Sequence, residues 1–239
     1  MEITILDDWI SRKINADINR ENLESYHLQA LRDNLAYLLE HNNFYKQLLK
    51  DYTINSLADM AKMPLMAEDD IVDDYFRLFC KSQKDAFRAV SLPSSGTEGR
   101  IKRLFFTEKE QNDTIDFFYH GMQTYVSRNE RVLILFPGDK PGTVGQLLAE
   151  ALGKFLAIPI ILPWQGDGKE VLAKILALKP QHLLAQPWQI LILSQLLMEN
   201  PQNFFLKSIL LSADYTDEAL ERSLAALWHC PVYQHYGMT

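Results

Sequence analysis

The sequence predicts an α/β protein with a mostly parallel, doubly wound sheet, helices on both faces of that sheet, and a helical N-terminal extension. Two observations predict this fold. Short apolar runs alternate with helical patterns from residue 131 to residue 235, as in parallel strands that are joined by crossover helices. Leucines at helical spacing occupy residues 28–39, which indicates an amphipathic helix before the sheet.

The N-terminal region is predicted to be helical over residues 1–86. A helix or helix pair is expected at residues 22–50, because leucines recur there every three or four positions. A connector with a short helical turn follows at residues 51–64, and a second short helix is expected at residues 68–75. Residues 87–239 then form the predicted α/β nucleotide-binding core.

The core is predicted to begin with a β-hairpin. Its two extended runs, Ala89–Leu92 and Arg103–Phe106, flank a loop that carries glycines. Thr107 then begins a helix, because Glu110 three residues later completes a capping box.

Five strands and four helices complete the predicted core. Continuous apolar character suits strands that are buried on both faces. The predicted strands are Val132–Phe136, Ile158–Leu162, His182–Ala185, Ser208–Ser212 and Pro231–His235. The predicted helices are Val144–Phe155, Lys169–Leu178, Trp188–Met198 and Asp217–Trp228, the last capped by Thr216.

Composition excludes several classes of protein. The 24 basic and 31 acidic residues give a net charge of −7, which argues against a nucleic-acid partner or an anionic membrane surface. Cys80 and Cys230 form no motif and predict neither a disulfide framework nor a zinc site. No apolar segment is typical of a signal peptide or a membrane span. We therefore expect a cytoplasmic protein, and no residue is assigned as a metal ligand.

The segment Ser94–Lys102 concentrates hydroxyls, two glycines and two cations. These groups suit a polyphosphate, because glycine exposes backbone N–H groups, hydroxyls donate hydrogen bonds, and Lys and Arg offset the anionic charge. The spacing is not that of a Walker P-loop. A surface turn is the alternative interpretation, since Ser, Gly, Thr and Glu are common in turns.

The loops that follow the predicted strands carry small, polar or aromatic residues. Ligands of open parallel sheets bind at these carboxyl ends, so we expect a site built from these loops and the Ser94–Lys102 loop. The loops begin at Pro137-Gly138-Asp139, Pro163-Trp164-Gln165, Gln186-Pro187, Ser212-Ala213-Asp214 and His235-Tyr236-Gly237.

The glycine loop resembles the phosphate loop of acyl-adenylating enzymes, [ST]-[ST]-G-T-[ST]-G-x-P-K, and Tyr236–Thr239 resembles the start of their Y-G-x-[TS]-E motif. Residues 43–45, 56–60 and 63–65 resemble the N-terminal region of phenylacetate–coenzyme A ligases. The likeness runs from residue 28 to residue 239. It implies ATP-dependent adenylation of a carboxylate and transfer of the acyl group to a thiol, usually that of coenzyme A.

The resemblance implies a role for each site residue. The residues that wrap the β- and γ-phosphates are Ser94, Ser95, Gly96, Thr97, Glu98 and Gly99. The residues at the adenine are Ser212, Ala213, Asp214, Tyr236 and Gly237. Of these, Tyr236 is expected to stack on the base. The implied catalytic residues are Lys102 and Thr239. Thr239 is expected to donate a hydrogen bond to the α-phosphate. The acid pocket is expected to include Pro137, Gly138, Trp164, His235 and Met238. Packing or hydrogen bonding is the alternative for His235, and a lid over the sheet edge is the alternative for Trp164.

The chain departs from the family pattern in two ways. Glu98 replaces a small hydroxyl residue, and its carboxylate should weaken phosphate binding unless it turns outward or pairs with Arg100 or Lys102. The sequence also stops at Thr239, one residue before the glutamate that would hold Mg²⁺. We expect little or no adenylation by these residues alone.

The implied function is that of the N-terminal AMP-binding portion of an acid–thiol ligase that uses ATP, Mg²⁺ and coenzyme A. An acyl-protein synthetase is a close alternative, and a non-catalytic nucleotide-binding or interaction module is an alternative of another class. The expected partner is a small-molecule carboxylic acid, with no nucleic acid and no membrane. Homodimerisation stays open, because the last strand is expected to leave an exposed edge.

Overall fold

A computed structural model describes residues 3–66, 75–93, 101–201 and 204–236. The chain divides into two compact units, Met1–Asp113 and Thr114–Thr239, and each is described by itself. The domain boundary predicted at residue 86 stays a prediction. No described helix is long and apolar enough to cross a membrane.

The first unit begins with helices that pack on one another. They are α1 (Ile5–Ile14), α2 (Arg20–His41) and α3 (Asn43–Leu49), followed by 3₁₀ turns at Leu57–Lys62, Tyr75–Leu78 and Gln83–Asp85. The predicted helix pair is confirmed, and Leu35, Leu49 and Ile54 form its buried core. The short helix expected at residues 68–75 falls almost wholly outside the described residues.

The sequence pattern did not predict α1, although a signal for it exists. The side chain of Thr4 accepts a hydrogen bond from Asp7 N at 3.1 Å, and the Asp7 carboxylate accepts one from Thr4 N at 2.9 Å. This reciprocal pair satisfies backbone donors that a helix start leaves free.

The predicted β-hairpin is present in the first unit. Strands β1 (Arg88–Pro93) and β2 (Ile101–Phe106) pair antiparallel, with Arg88 opposite Phe106 at the base and Pro93 opposite Ile101 near the loop. The predicted capping box follows, because Glu110 accepts hydrogen bonds from both Thr107 N and its hydroxyl, at 2.7 and 2.8 Å. It begins α4 (Glu108–Met122), which continues into the second unit.

The second unit confirms the predicted alternation of strands and helices. Its strands are β3 (Arg131–Ile134), β4 (Ile158–Ile161), β5 (His182–Ala185), β6 (Ser208–Leu211) and β7 (Val232–Gln234). Its further helices are α5 (Val144–Lys154), α6 (Gly168–Leu178), α7 (Pro187–Glu199) and α8 (Glu218–Trp228). All neighbouring strands are parallel, in the order β4-β3-β5-β6-β7.

Helices cover both faces of this sheet. Val132 and Ile134 pack in a core with residues of α4 and α5. Leu133, between them in β3, packs in a second core with residues of α6, α7 and α8. Successive residues of a strand point to opposite faces, so the two cores lie on the two sides of the sheet. The doubly wound α/β fold is therefore confirmed.

The cap of α8 differs from the prediction. Asp217, not Thr216, is the N-cap, and its carboxylate accepts a hydrogen bond from Leu220 N at 2.7 Å. The hydroxyl of Thr216 is buried and has no hydrogen-bond partner among the described residues. A carboxylate is a strong capping group because it accepts from N–H groups at the positive end of the helix dipole.

Candidate functional site

The strand order places a crevice between β3 and β5. From β3 the chain passes to β4 on one side of the sheet, and it then returns to β5 on the other side of β3. In open α/β sheets, ligands bind at the carboxyl ends of the strands where the connections diverge in this way. The residues that follow β3 and β5, Pro137 and Gln186, border this point.

The end of β3 approaches the first turn of α5 very closely. Gly145 N donates to Pro137 O at 2.8 Å, and a Cβ atom built on Gly145 would lie 2.6 Å from the same oxygen. A Cβ atom on Gly138 would lie 2.5 Å from Cγ2 of Ile161. Pro137 and Gly138 thus lie at the predicted edge, where the absence of a side chain on glycine permits tight packing.

Two tryptophans lie beside the end of β5. The indole rings of Trp164 and Trp188 meet edge to face with 5.1 Å between centroids. Trp188 also donates from Nε1 to the side-chain oxygen of Gln186. Trp164 therefore lies at the predicted edge, with its ring in contact with that of Trp188, and its role in the acid pocket stays a prediction.

The ends of β6 and β7 are joined by a side-chain hydrogen bond. Ser212 Oγ lies 2.9 Å from Nδ1 of His235, and Nε2 of His235 has no hydrogen-bond partner among the described residues. The rings of Phe117 and Phe118 on α4 lie 5.9 and 6.2 Å from the imidazole, between centroids. Burial lowers the pKa of His235 below its ordinary value, because removal from water disfavours the imidazolium.

The adenine-contact residues predicted at these two strand ends also lie together. Leu211 is opposite Gln234 in the paired strands, so Ser212 and His235 follow side by side. Ala213 adopts a left-handed φ of 72°, which turns the backbone sharply after β6. Tyr236 keeps 83% of its surface exposed, so its ring face is available to a ligand.

Part of the predicted site lies outside the described residues. This applies to residues 94–100 of the glycine loop and to Gly237, Met238 and Thr239. The backbone of Lys102 lies in β2, and its side chain is not described. The roles given to all these residues stay predictions.

The described residues contain no group of three or more His, Cys, Asp and Glu side chains that could hold a metal ion.

A buried polar cluster at the amino ends of the strands was not predicted from the sequence. His182 Nε2 lies 2.8 Å from the Glu130 carboxylate, and His182 Nδ1 lies 2.8 Å from Ser208 Oγ. Lys207 donates to the other oxygen of Glu130. Polar residues at the start of two apolar strands were the available signal. The cluster lies at the edge opposite the predicted ligand crevice.

The fold is similar to that of solved acyl-CoA ligases. An open conformation of 2-hydroxyisobutyryl-CoA ligase in complex with 2-HIB-AMP and CoA matches with a TM-score of 0.74 and 16% identity, over 92% of this chain and 55% of that chain. Its postadenylation state with 2-HIB-AMP matches with a TM-score of 0.76 and 15% identity, over 92% and 50%.

A third similar structure is the amide bond synthetase McbA from Marinactinospora thermotolerans, with a TM-score of 0.50 and 16% identity, over 65% of this chain and 30% of that chain. No protein-family model matches the chain, and no curated protein matches it in sequence. The chain thus has the fold of the 2-hydroxyisobutyryl-CoA ligase structures and spans about half of their length.

Proposed function

We propose that this chain is the nucleotide-binding portion of an acid–thiol ligase that adenylates a carboxylic acid and forms an acyl-CoA thioester. One observation carries the proposal: Ser94–Lys102 and Tyr236–Thr239 resemble two motifs of acyl-adenylating enzymes, in the same order, and the chain has a fold like that of an acyl-CoA ligase. Free thiols at Cys80 and Cys230 suit a reducing, cytoplasmic compartment.

The described residues at the ends of β6 and β7 suit a purine base. Tyr236 offers an exposed aromatic face, and stacking on an aromatic ring holds a base without reading its identity. The small side chain of Ala213 at the sharp turn allows close approach to the base. In the proposal, Ser212, Ala213 and Asp214 border the adenine while residues 94–99 wrap the phosphates.

The acid would lie near His235, Pro137, Gly138 and Trp164, with Met238 beside them. The aromatic wall of Phe117 and Phe118 next to His235 favours an aryl or medium-length acyl group, because apolar surface is removed from water there. In the reaction, a carboxylate oxygen forms a bond to the α-phosphorus as the bond to pyrophosphate breaks. Thr239 would donate to the α-phosphate, and Lys102 would offset its charge, which is positioning and electrostatic work.

Calorimetric titration of AMP tests the nucleotide site. We expect Tyr236→Ala to weaken AMP binding about tenfold, because stacking of a base on an aromatic ring contributes about 1 to 3 kcal/mol. Tyr236→Phe is the matched control, and it should retain the affinity, since it keeps the ring and removes only the hydroxyl. Equal affinity in all three proteins would contradict the stacking role.

The acceptor and the catalytic class need a separate assay. AMP release from ATP in the presence of a panel of aryl and alkyl carboxylic acids should depend on coenzyme A if the chain acts in a ligase. Release that requires a protein cysteine instead would indicate an acyl-protein synthetase. Glu98 favours the non-catalytic alternative, and absence of heat with both ATP and AMP would support that module.

A further inference from the structure

A cavity of about 480 Å³ lies in the first unit, at the base of the β1–β2 hairpin. It is bordered by α2, residues 78–82, 85 and 86, β2 and the first turn of α4. Its size falls within the range of about 300 to 1,000 Å³ that is usual for small-molecule sites. The described lining in β2 begins at Arg103, next to Lys102 of the predicted phosphate loop, and runs to Phe106.

The floor of the cavity is apolar and half-buried. The rings of Phe79 and Phe105 meet edge to face with 4.7 Å between centroids. Leu38 of α2 and Leu104 of β2 border the same space. Such a floor favours an alkyl or aryl body, since burying apolar surface contributes about 25 cal/mol per Å².

One wall of the cavity is held by a buried amide. Asn42, between α2 and α3, donates from Nδ2 to the carbonyl oxygens of Arg77 and Phe79, both at 2.8 Å. The Asn42 side chain is almost wholly buried, so breaking these bonds would leave a buried donor unpaired. The segment that carries Phe79 is therefore anchored before any ligand arrives, which lowers the cost of binding.

The rim of the cavity is charged and exposed. Its two carboxylates are engaged locally: Asp85 accepts from Ser82 N at 3.2 Å, and Glu110 accepts from the backbone and hydroxyl of Thr107. Lys81 lies on the same rim and has no ion-pair partner among the described residues. The apolar floor and the ammonium group of Lys81 are together complementary to an anion with an apolar body.

We propose that this cavity binds a small amphipathic carboxylate, with its alkyl or aryl body on the Phe79–Phe105 floor and its head near Lys81. The inference stands apart from the proposed function, because it uses no residue of the sheet edge. An uncharged apolar molecule and an amphipathic cation are the competing occupants, and they differ from the carboxylate only in the head group.

Calorimetry with decanoate, below its micellar concentration and without nucleotide, tests the proposal. We expect one decanoate per chain and binding of decylamine that is weaker by about tenfold, since the two probes differ in the sign of their head group. Lys81→Glu should weaken decanoate binding about fivefold, the effect of one exposed charge pair. Lys84→Glu is the matched control, because Lys84 is exposed in the same segment and does not line the cavity.

A second variant tests the space itself. Ala86→Trp should put a large ring into the cavity that Ala86 lines and abolish decanoate binding, with circular dichroism to check that the protein is folded. Equal binding of decanoate and decylamine, equal effects of the two lysine variants, or no heat with decanoate would each overturn the proposal. Loss of decanoate binding in His235→Ala would also overturn it, because the carboxylate would then lie at the sheet edge. Tyr236→Ala should change AMP binding alone, which separates this test from that of the proposed function.

Discussion

Strand β6 takes part in the same kind of side-chain contact at both of its ends, with different results. At its start, Ser208 Oγ lies 2.8 Å from Nδ1 of His182. Just past its end, Ser212 Oγ lies 2.9 Å from Nδ1 of His235. His182 is only 1% exposed, whereas His235 is half-buried beside the exposed Tyr236. The two serine–histidine pairs therefore differ in what surrounds them.

The Ser208–His182 pair at the amino edge has further charged partners. Glu130 faces Nε2 of His182, and Lys207 and Ser127 N also donate to that carboxylate. Burial alone would raise the pKa of Glu130, but these hydrogen bonds outweigh it and lower the pKa to about 2. Burial lowers the pKa of His182, against the opposing effect of Glu130. A neutral imidazole thus donates from Nε2 to Glu130 and accepts from Ser208 at Nδ1.

The Ser212–His235 pair at the carboxyl edge has no charged partner among the described residues. His235 meets Phe117, Phe118 and Ser212, and its Nε2 has no partner among the described residues. Its pKa is lowered by burial, and no acidic partner opposes that shift. The same serine–histidine contact therefore has two different outcomes. At the amino edge, Glu130 and Lys207 complete it and hold the strands together. At the carboxyl edge, Nε2 of His235 stays available to a ligand.

The largest expected difference is between His182→Ala and His235→Ala. The first should lower the free energy of unfolding by about 2 to 4 kcal/mol, because it opens a buried cavity, leaves the buried Ser208 hydroxyl without a partner and removes one of three donors to Glu130. The second should cost about 1 kcal/mol or less, because water can reach the groups it exposes. Urea unfolding with unchanged slope measures both. Equal losses would remove the distinction between the two edges.

The fold could be predicted because the strands carry their own signal. Strand β5 is buried along its whole length, so every position is apolar except His182 at its start, and the run stands out without knowledge of its neighbours. The capping box of Thr107 and Glu110 was equally local. The cap of α8 was wrong by one residue, because Thr216 and Asp217 are both good capping residues and only the backbone geometry selects between them.

The polar cluster could not be predicted because it depends on strand order. Glu130 and His182 are 52 residues apart in sequence, and they meet only because β5 lies beside β3 rather than beside β4. The contact of Ser212 with His235 has the same origin, since it follows from the pairing of β6 with β7. The sequence placed these residues at strand ends, but the partner of each was set by topology.

Acid should lower the stability of the amino edge. The folded pKa of Glu130, about 2, lies below its ordinary 4.5, so its stabilisation is present above pH 4.5 and is lost as the pH falls toward 2. The lowered pKa of His182 adds a loss that begins as the pH falls below 6.5. We expect a combined loss of about 1 to 3 kcal/mol, allowing for screening at the exposed Lys207.

Unfolding followed by urea titration at several pH values between 7 and 3 measures this loss. Glu130→Gln is the control, because it removes the carboxylate while retaining the shape. This variant should be less stable at neutral pH and should show a shallower fall in acid. A fall as steep as that of the unaltered protein would assign the acid sensitivity to other groups.

A glycine pair in α5 tests how tightly the carboxyl edge is built. Gly145→Ala should destabilise the protein by about 1 to 3 kcal/mol, because the new Cβ would meet Pro137 O at 2.6 Å. A Cβ atom at Gly153 in the same helix would have no neighbour within 4 Å. Gly153→Ala should therefore stabilise the protein by about 0.5 to 1 kcal/mol. Thermal unfolding of the two variants measures both signs. Stabilisation by both would show that the β3 end can move away from α5.

The two serines of β6 test the difference between the edges most directly, with the fewest atoms removed. Ser208→Ala should cost about 1 to 3 kcal/mol, because the buried Nδ1 of His182 loses its partner, whereas Ser212→Ala should cost about 1 kcal/mol or less. Nitrogen NMR of the imidazoles adds a second measurement. Removal of Ser212 should change the tautomer ratio of His235, since a hydrogen bond to one nitrogen selects which nitrogen carries the proton. An unchanged ratio would mean that Ser212 does not orient His235, and the carboxyl edge would then hold its histidine by the packing of Phe117 and Phe118 alone.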